Sequence, residues 1–290
     1  MKFLLPLLLT LPLFADIETV TVKKDIAYHG QTDDAYQNER CKLDLYLPES
    51  HDFATVIWLH GGGLKGGSKN NAKNIAIAER LSQNSVAIAM VNYRLHPKAK
   101  YPAYVEDTAA AVAWVLDKIA EQGGDPKKVF LGGHSAGGYL ALMVGMDPRW
   151  LATHDLKRDD LVGLIPVAAQ TMTHCTVRDE RFGSNDAFTI TADDASPVRY
   201  SGLKGIPPVH FLWADNDAPA RAEENAYLAA VMRGAGHKAI TTEVVADRNH
   251  SSVAHRMAGL DDPGASSLLK FVHRLSKPTN TSNSENKKQP

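Results

Sequence analysis

The chain has 290 residues, 44% hydrophobic and 22% charged, with a formal net charge of -1. That mixture fits one large globular domain or two small ones with a sizeable core. It supplies no basic excess to hold phosphate backbones, which argues against a nucleic-acid partner.

The chain opens MKFLLPLLLTLPLFAD. Lys2 forms a short positive n-region, Phe3 to Phe14 an apolar h-region, and Ala15 a small residue at a cut site, the layout of a secretory signal peptide. The run falls short of the ~20 apolar residues a membrane span needs. The expected organisation is a signal peptide over 1–15, a folded domain over 16–276 and a disordered tail over 277–290. The expected location is periplasmic or secreted, with no stable membrane span after processing. Bulky Leu13 leaves the cut position open.

Beyond the leader, strand and helix patterns alternate. Lys42–Leu47 alternates polar and apolar, as a half-buried strand does. Thr55–Leu59, Val86–Val91, Lys128–Gly132, Leu161–Ala168 and Val209–Ala214 are more continuously apolar, which suits strands covered on both faces. Ile240–Val245 is the last predicted strand. Helical spacing marks 71–83, 104–122, 136–144, 220–232 and 266–275, with Gly123–Gly124 stopping the second. This alternation predicts an α/β fold with a mainly parallel sheet. The segment 172–200 breaks the rhythm and reads as a small insertion on one edge of the sheet, a place where functional lids occur. The tail KPTNTSNSENKKQP has no apolar residue to bury. The two cysteines, Cys41 and Cys175, form no metal-ligand spacing and read as separate buried thiols, although an oxidising compartment would permit them to pair.

Two motifs carry chemistry. Gly133–His134–Ser135–Ala136–Gly137 is G-x-S-x-G, between a strand and a helix. That context is a sharp turn presenting a strained serine at the C-terminal edge of the sheet, with glycines permitting close approach of strand and helix. His60–Gly61–Gly62–Gly63 directly follows a core strand. Such a loop turns backbone N–H donors toward an oxyanion. The expected donors are Gly62, Gly63 and Ala136, with Gly61 shaping the turn. Neither a phosphate-binding G-x-x-x-x-G-K-[ST] nor a dinucleotide fingerprint occurs.

With HGGG at 60–63, NYRL at 92–95, YPAYVEDTAAAVAWV at 101–115 and GGDPKKVFLGGHSAGG at 123–138, the chain resembles α/β-hydrolases of the HGGG esterase group. These are hormone-sensitive-lipase-like carboxylesterases and acetyl or feruloyl esterase-like enzymes. The resemblance implies an α/β-hydrolase fold, with a mostly parallel central sheet flanked by helices, and the triad order Ser, acid, His. The family's acid lies in the loop after the strand Val209–Ala214, which points to Asp217, with Asp215 as the alternative and more naturally a turn-former. The histidine follows the last strand, which points to His250, just before a helix that could begin at Ser251. Arg94 is expected to pair with a carboxylate of Glu106–Asp107 as a structural lock. The remaining histidines do not cluster as metal ligands, so neither metal nor cofactor is expected.

The implied activity is a serine carboxylesterase on short-acyl, small-molecule esters. The same apparatus serves amide-cleaving relatives resembling arylformamidases or peptidases, and a non-catalytic binding protein of the same fold is the alternative of another class. The motifs leave the substrate and the oligomeric state open.

Overall fold

The computed structural model describes residues 19–183 and 190–277. The proposed leader, the tail beyond 277 and the middle of the 172–200 insertion lie outside the described residues.

Eight strands form one sheet in the order β1-β2-β4-β3-β5-β6-β7-β8. They are β1 (Thr21–Ala27), β2 (Lys42–Leu47), β3 (Phe53–Leu59), β4 (Val86–Val91), β5 (Gly124–His134), β6 (Gly163–Val167), β7 (Val209–Asn216) and β8 (Ile240–Asn249). The β1–β2 and β2–β4 pairs are antiparallel, and the other pairs are parallel. The helices are α1 (Ala35–Arg40), α2 (Ala72–Ser82), α3 (Ala103–Lys118), α4 (Ala136–Met146), α5 (Pro148–Ala152), α6 (Cys175–Phe182), α7 (Arg221–Gly234), α8 (Ser252–His255) and α9 (Pro263–Leu275).

Alternation along the buried strands builds two cores. On β3, Ile57 and Leu59 face one layer with α3, α4 and α7, while Val56 and Trp58 face the other with α2, α8 and α9. A strand covered on both faces has to be apolar at successive positions, as the continuous runs predicted. The helices start where side chains satisfy orphan N–H groups. Asn71 accepts from Lys73 N ahead of α2, and Asp262 accepts from Ala265 N ahead of α9, where Pro263 takes the first position.

Three local expectations change. β1 went unpredicted because its side chains are almost all exposed and Asp25 adopts φ 57° within a register shift. Charged, bulged edges of this kind limit unwanted pairing and erase the periodic signal. β2 is not half-buried: Leu43 to Leu47 are all buried. Asp44 tolerates this because its Oδ1 accepts from the buried Lys69 Nζ at 2.7 Å and from Asp25 N at 2.7 Å. The described residues of the 172–200 insertion do not lie along an edge strand of the sheet. Its helix α6 packs over the loops following β3 and β4. Thr176 Oγ1 donates to Gly63 O at 2.6 Å, and Glu180 accepts from Tyr101 N at 2.9 Å and from Tyr104 Oη.

Candidate active site

β5 ends at His134 and α4 begins at Ala136, leaving Ser135 alone in the turn with φ 55° and ψ -116°. A non-glycine residue in that region is strained, and such strain persists only where the surroundings enforce it. Ser135 N donates to Val167 O at 2.8 Å, and Tyr139 N donates back to Ser135 O at 3.0 Å. At Gly137 a Cβ would collide with the Leu59 carbonyl, so only glycine allows α4 to cross the end of β3.

The structure brings Ser135, His250 and Asp217 together from three strand ends. Ser135 Oγ donates to His250 Nε2 at 2.9 Å, and His250 Nδ1 donates to Asp217 Oδ1 at 2.6 Å. A carboxylate only accepts, so the Asp217 contact fixes the Nδ1–H tautomer and leaves Nε2 free to accept the serine proton. The Asp217 side chain is 1% exposed and the His250 side chain 28%. Burial raises the Asp217 pKa, but the His250 hydrogen bond and charge, with bonds from Ala214 N and Ala218 N, outweigh it and hold the carboxyl below its ordinary range. Asp215 stands apart. Its exposed carboxylate accepts from Asn216 N, Asp247 N and Arg248 N, tying the end of β7 to the outgoing end of β8.

The glycine loop is aimed by its carbonyls. In a trans peptide the C=O and the following N–H point in opposite directions. His60 Nδ1 donates to Gly61 O at 2.8 Å, which turns the Gly62 N–H the other way. Gly62 O accepts from Lys65 N at 3.1 Å and Gly66 N at 3.0 Å, which does the same for the Gly63 N–H. Gly62 sits at φ 127°, and a Cβ there would strike the Gly66 carbonyl. Among the described residues the amides of Gly62, Gly63 and Ala136 donate no hydrogen bond. Ser135's own amide is taken by Val167, so Ala136 is the donor available at the head of α4.

Sequence reasoning missed what holds this loop. Arg40, at the end of α1, donates from Nη2 to Gly67 O at 2.6 Å and to His60 Nε2 at 3.1 Å, and from Nε to Tyr93 O at 3.0 Å. Tyr93 stacks on the His60 ring at 4.5 Å and donates to His60 O at 2.7 Å. Burial pushes the His60 pKa down to about 3, against the opposing hydrogen bond to Gly61, so the imidazole is neutral and can accept from Arg40. Thr176 was also missed. A six-residue helix and a hydroxyl in an irregular segment leave no periodic trace.

Other expectations resolve structurally. Arg94 grips Asp107 through Nε and Nη2, with distances of 2.8 to 3.1 Å, and reaches Asp34 at 2.9 Å. Cys41 and Cys175 are both free thiols, the second only partly buried. His29, Cys41 and Asp107 place ligating atoms within 4.8 Å of one another. The chemistry does not suit a cation, because Arg94 already neutralises Asp107. Burial, then the Asp107 charge, also push the Cys41 thiol up to about 12.

The BD-FAE family model matches residues 43–158, a segment that carries the glycine loop and Ser135 but ends before Asp217 and His250. The chain is 30% identical to carboxylesterase NlhH of Mycobacterium tuberculosis over 173 residues, 59% of this chain and 48% of that protein. It is 29% identical to isoprenylcysteine alpha-carbonyl methylesterase ICME of Arabidopsis thaliana over 142 residues, 48% of this chain and 30% of that one. The matches thus span half or less of these relatives' length. Esterase B from Lactobacillus rhamnosis aligns with TM-score 0.70 at 22% identity, covering 90% of this chain and 87% of that one. A truncated carbohydrate esterase from gut microbiota aligns with TM-score 0.69 at 19% identity, covering 90% and 98%. At these identities the structural likeness is one of fold. Sheet order and nucleophile turn agree with these structures: the chain has the α/β-hydrolase fold, and part of its sequence is similar to part of these carboxylesterases.

Proposed function

We propose that the protein is an exported serine carboxylesterase acting on short-acyl esters through an acyl-enzyme. The observation that carries this reading is the Ser135–His250–Asp217 relay, 2.9 Å and 2.6 Å long, at the foot of the glycine loop. His250 takes the Ser135 proton as Oγ attacks the ester carbonyl. Negative charge develops on the carbonyl oxygen, and the amides of Gly62, Gly63 and Ala136 receive it, each worth ~100- to 1,000-fold in rate. Asp217 stabilises the imidazolium. His250 then protonates the departing alcohol, and water repeats the sequence to release the acid.

A cavity of about 390 Å³ beside Ser135 supports a small substrate, being near the low end for small-molecule sites. The esterase names of the relatives support the bond type. Export rests on the charged and apolar layout of residues 1–15. No helix of the described residues is long and apolar enough to cross a membrane.

The test is hydrolysis of a p-nitrophenyl ester series, acetate to palmitate, by wild type and Ser135→Ala. Activity on short chains that the variant loses, with its fold intact, is the expected outcome. Near wild-type turnover by Ser135→Ala would remove the assignment.

A further inference from the structure

The nucleophile turn needs glycine at 133 and 137, where a Cβ would strike the Leu59 carbonyl, but it leaves position 134 free. The histidine found there therefore needs its own explanation. His134 is the last residue of β5 and pairs with Val167 of β6, so the sheet fixes its backbone. The residue is only 8% exposed. Its Nε2 lies 2.7 Å from the main-chain oxygen of His250. A carbonyl only accepts, so Nε2 carries the proton and donates. The ring lies 5.1 Å from the His250 ring. At the other ring nitrogen, a Cβ placed on Gly61 would come within 2.9 Å of His134 Nδ1 and within 3.2 Å of His134 O. One side chain thus touches the histidine loop and the glycine loop from the residue next to the nucleophile.

The bond to His250 answers a problem of reach. β8 lies three strands from β5, about 14 Å at ordinary strand spacing. His250 follows β8 directly and has to meet Ser135 at the end of β5. Asp217 holds its ring at Nδ1, from the end of β7. Bonds inside its own loop, from Ser251 N and Ser252 N to Asn249 Oδ1 and from Asn249 N to Ser252 Oγ, shape that loop without tying it to β5. His134 supplies the tie, and it does so on the main chain rather than the ring. Burial and then the His250 charge press the His134 pKa down to about 3, so the ring is neutral near pH 7. It donates without setting a positive charge beside the imidazolium that His250 becomes, as lysine or arginine would.

We propose that His134 is a positioning residue for ester cleavage: its Nε2–H anchors the His250 main chain and thereby sets where His250 Nε2 meets Ser135 Oγ. The proposal rests on the serine-esterase reading. Proton transfer and attack require near-attack geometry, and a misplacement of about 1 Å can cost about 100-fold.

The experiment compares His134→Phe, which keeps a ring but has no donor, with His134→Gln, whose side-chain amide can donate to the same carbonyl. The readouts are kcat and KM on p-nitrophenyl acetate, Tm, and active sites counted by fluorophosphonate labelling of Ser135 taken to completion. His134→Phe is expected to lower kcat per labelled site about 30- to 100-fold with KM within about twofold of wild type. His134→Gln is expected to recover kcat to within about fivefold of wild type. His134→Leu also lacks the donor and replaces His134→Phe if that variant does not fold. A merely structural role would lower Tm and the number of labelled sites while leaving kcat per labelled site unchanged. That result overturns the proposal, and so does His134→Gln as impaired as His134→Phe. If wild type cleaves p-nitrophenyl acetate and His134→Phe matches it, only the proposal fails. If wild type is inert on that ester and Ser135 takes no label, the esterase reading fails and the proposal with it.

Discussion

At the scale of single residues, two aspartates two positions apart do opposite jobs. Asp217 is buried against His250, while Asp215 is exposed and accepts from backbone amides at the outgoing end of β8. Asp217→Asn should therefore lower kcat on p-nitrophenyl acetate by about 10⁴-fold, since the amide no longer enforces the tautomer. Asp215→Asn should leave kcat within a few-fold of wild type, and the reverse pattern would move the acid upstream. Arg40 offers a subtler case. It touches no reacting atom but holds His60 and the Gly67 carbonyl, and His60 holds Gly61. Arg40→Leu should lower kcat about tenfold with KM nearly unchanged, because misaimed amides cost more in the transition state than in the bound ester. An equal rise in KM with constant kcat would assign Arg40 to ground-state binding or to folding alone.

At the scale of elements, the sheet margin and the glycine loop share an anchor. Lys69 Nζ bonds Asp44 on β2 and Asp25 on β1, both at 2.7 Å, while Lys69 N bonds Asn92 Oδ1 after β4, also at 2.7 Å. Both Lys69 and Asp44 side chains are 1% exposed, and Asp25 is 63% exposed. Removing one partner of a buried pair strands the other charge. Lys69→Met should destabilise the fold by about 3–5 kcal/mol in chemical denaturation. Asp25→Asn, which disturbs only the solvent-facing side, should cost about 1 kcal/mol or less. Similar losses for both would mean that the inner pair has no special weight.

At the scale of the whole molecule, acid sensitivity follows from buried neutral imidazoles. Burial is the leading cause that takes His60, His134 and His174 down to about 3 and His210 to about 4, from an ordinary 6.5. The unfolded chain binds protons at these sites between roughly pH 6.5 and 3–4 where the folded chain does not. Their stabilising effect is thus complete above pH 6.5 and declines as pH falls, by about 1.4 kcal/mol per pH unit for each histidine. Thermal unfolding should show Tm steady from pH 8 to 7 and dropping steeply from pH 6 to 4.5. A flat Tm through that window would show that these rings titrate normally.

Much of this molecule was legible in its sequence because the physics was local. Short continuous apolar runs rich in β-branched residues suit strands covered on both faces, so β3 to β7 could be placed to within a few residues. Glycines flanking Ser135 and following His60 mark turns that other residues cannot make. Asp217 and His250 needed more, a strand register and a chain order borrowed from resemblance. Tertiary structure alone decided the rest. β1 is a strand only because β2 offers it an edge, and β2 is buried on both faces only because Lys69, distant in sequence, neutralises Asp44. Arg40 and Thr176 make their contacts through approaches between segments far apart in the chain, and a periodic pattern carries no record of such approaches.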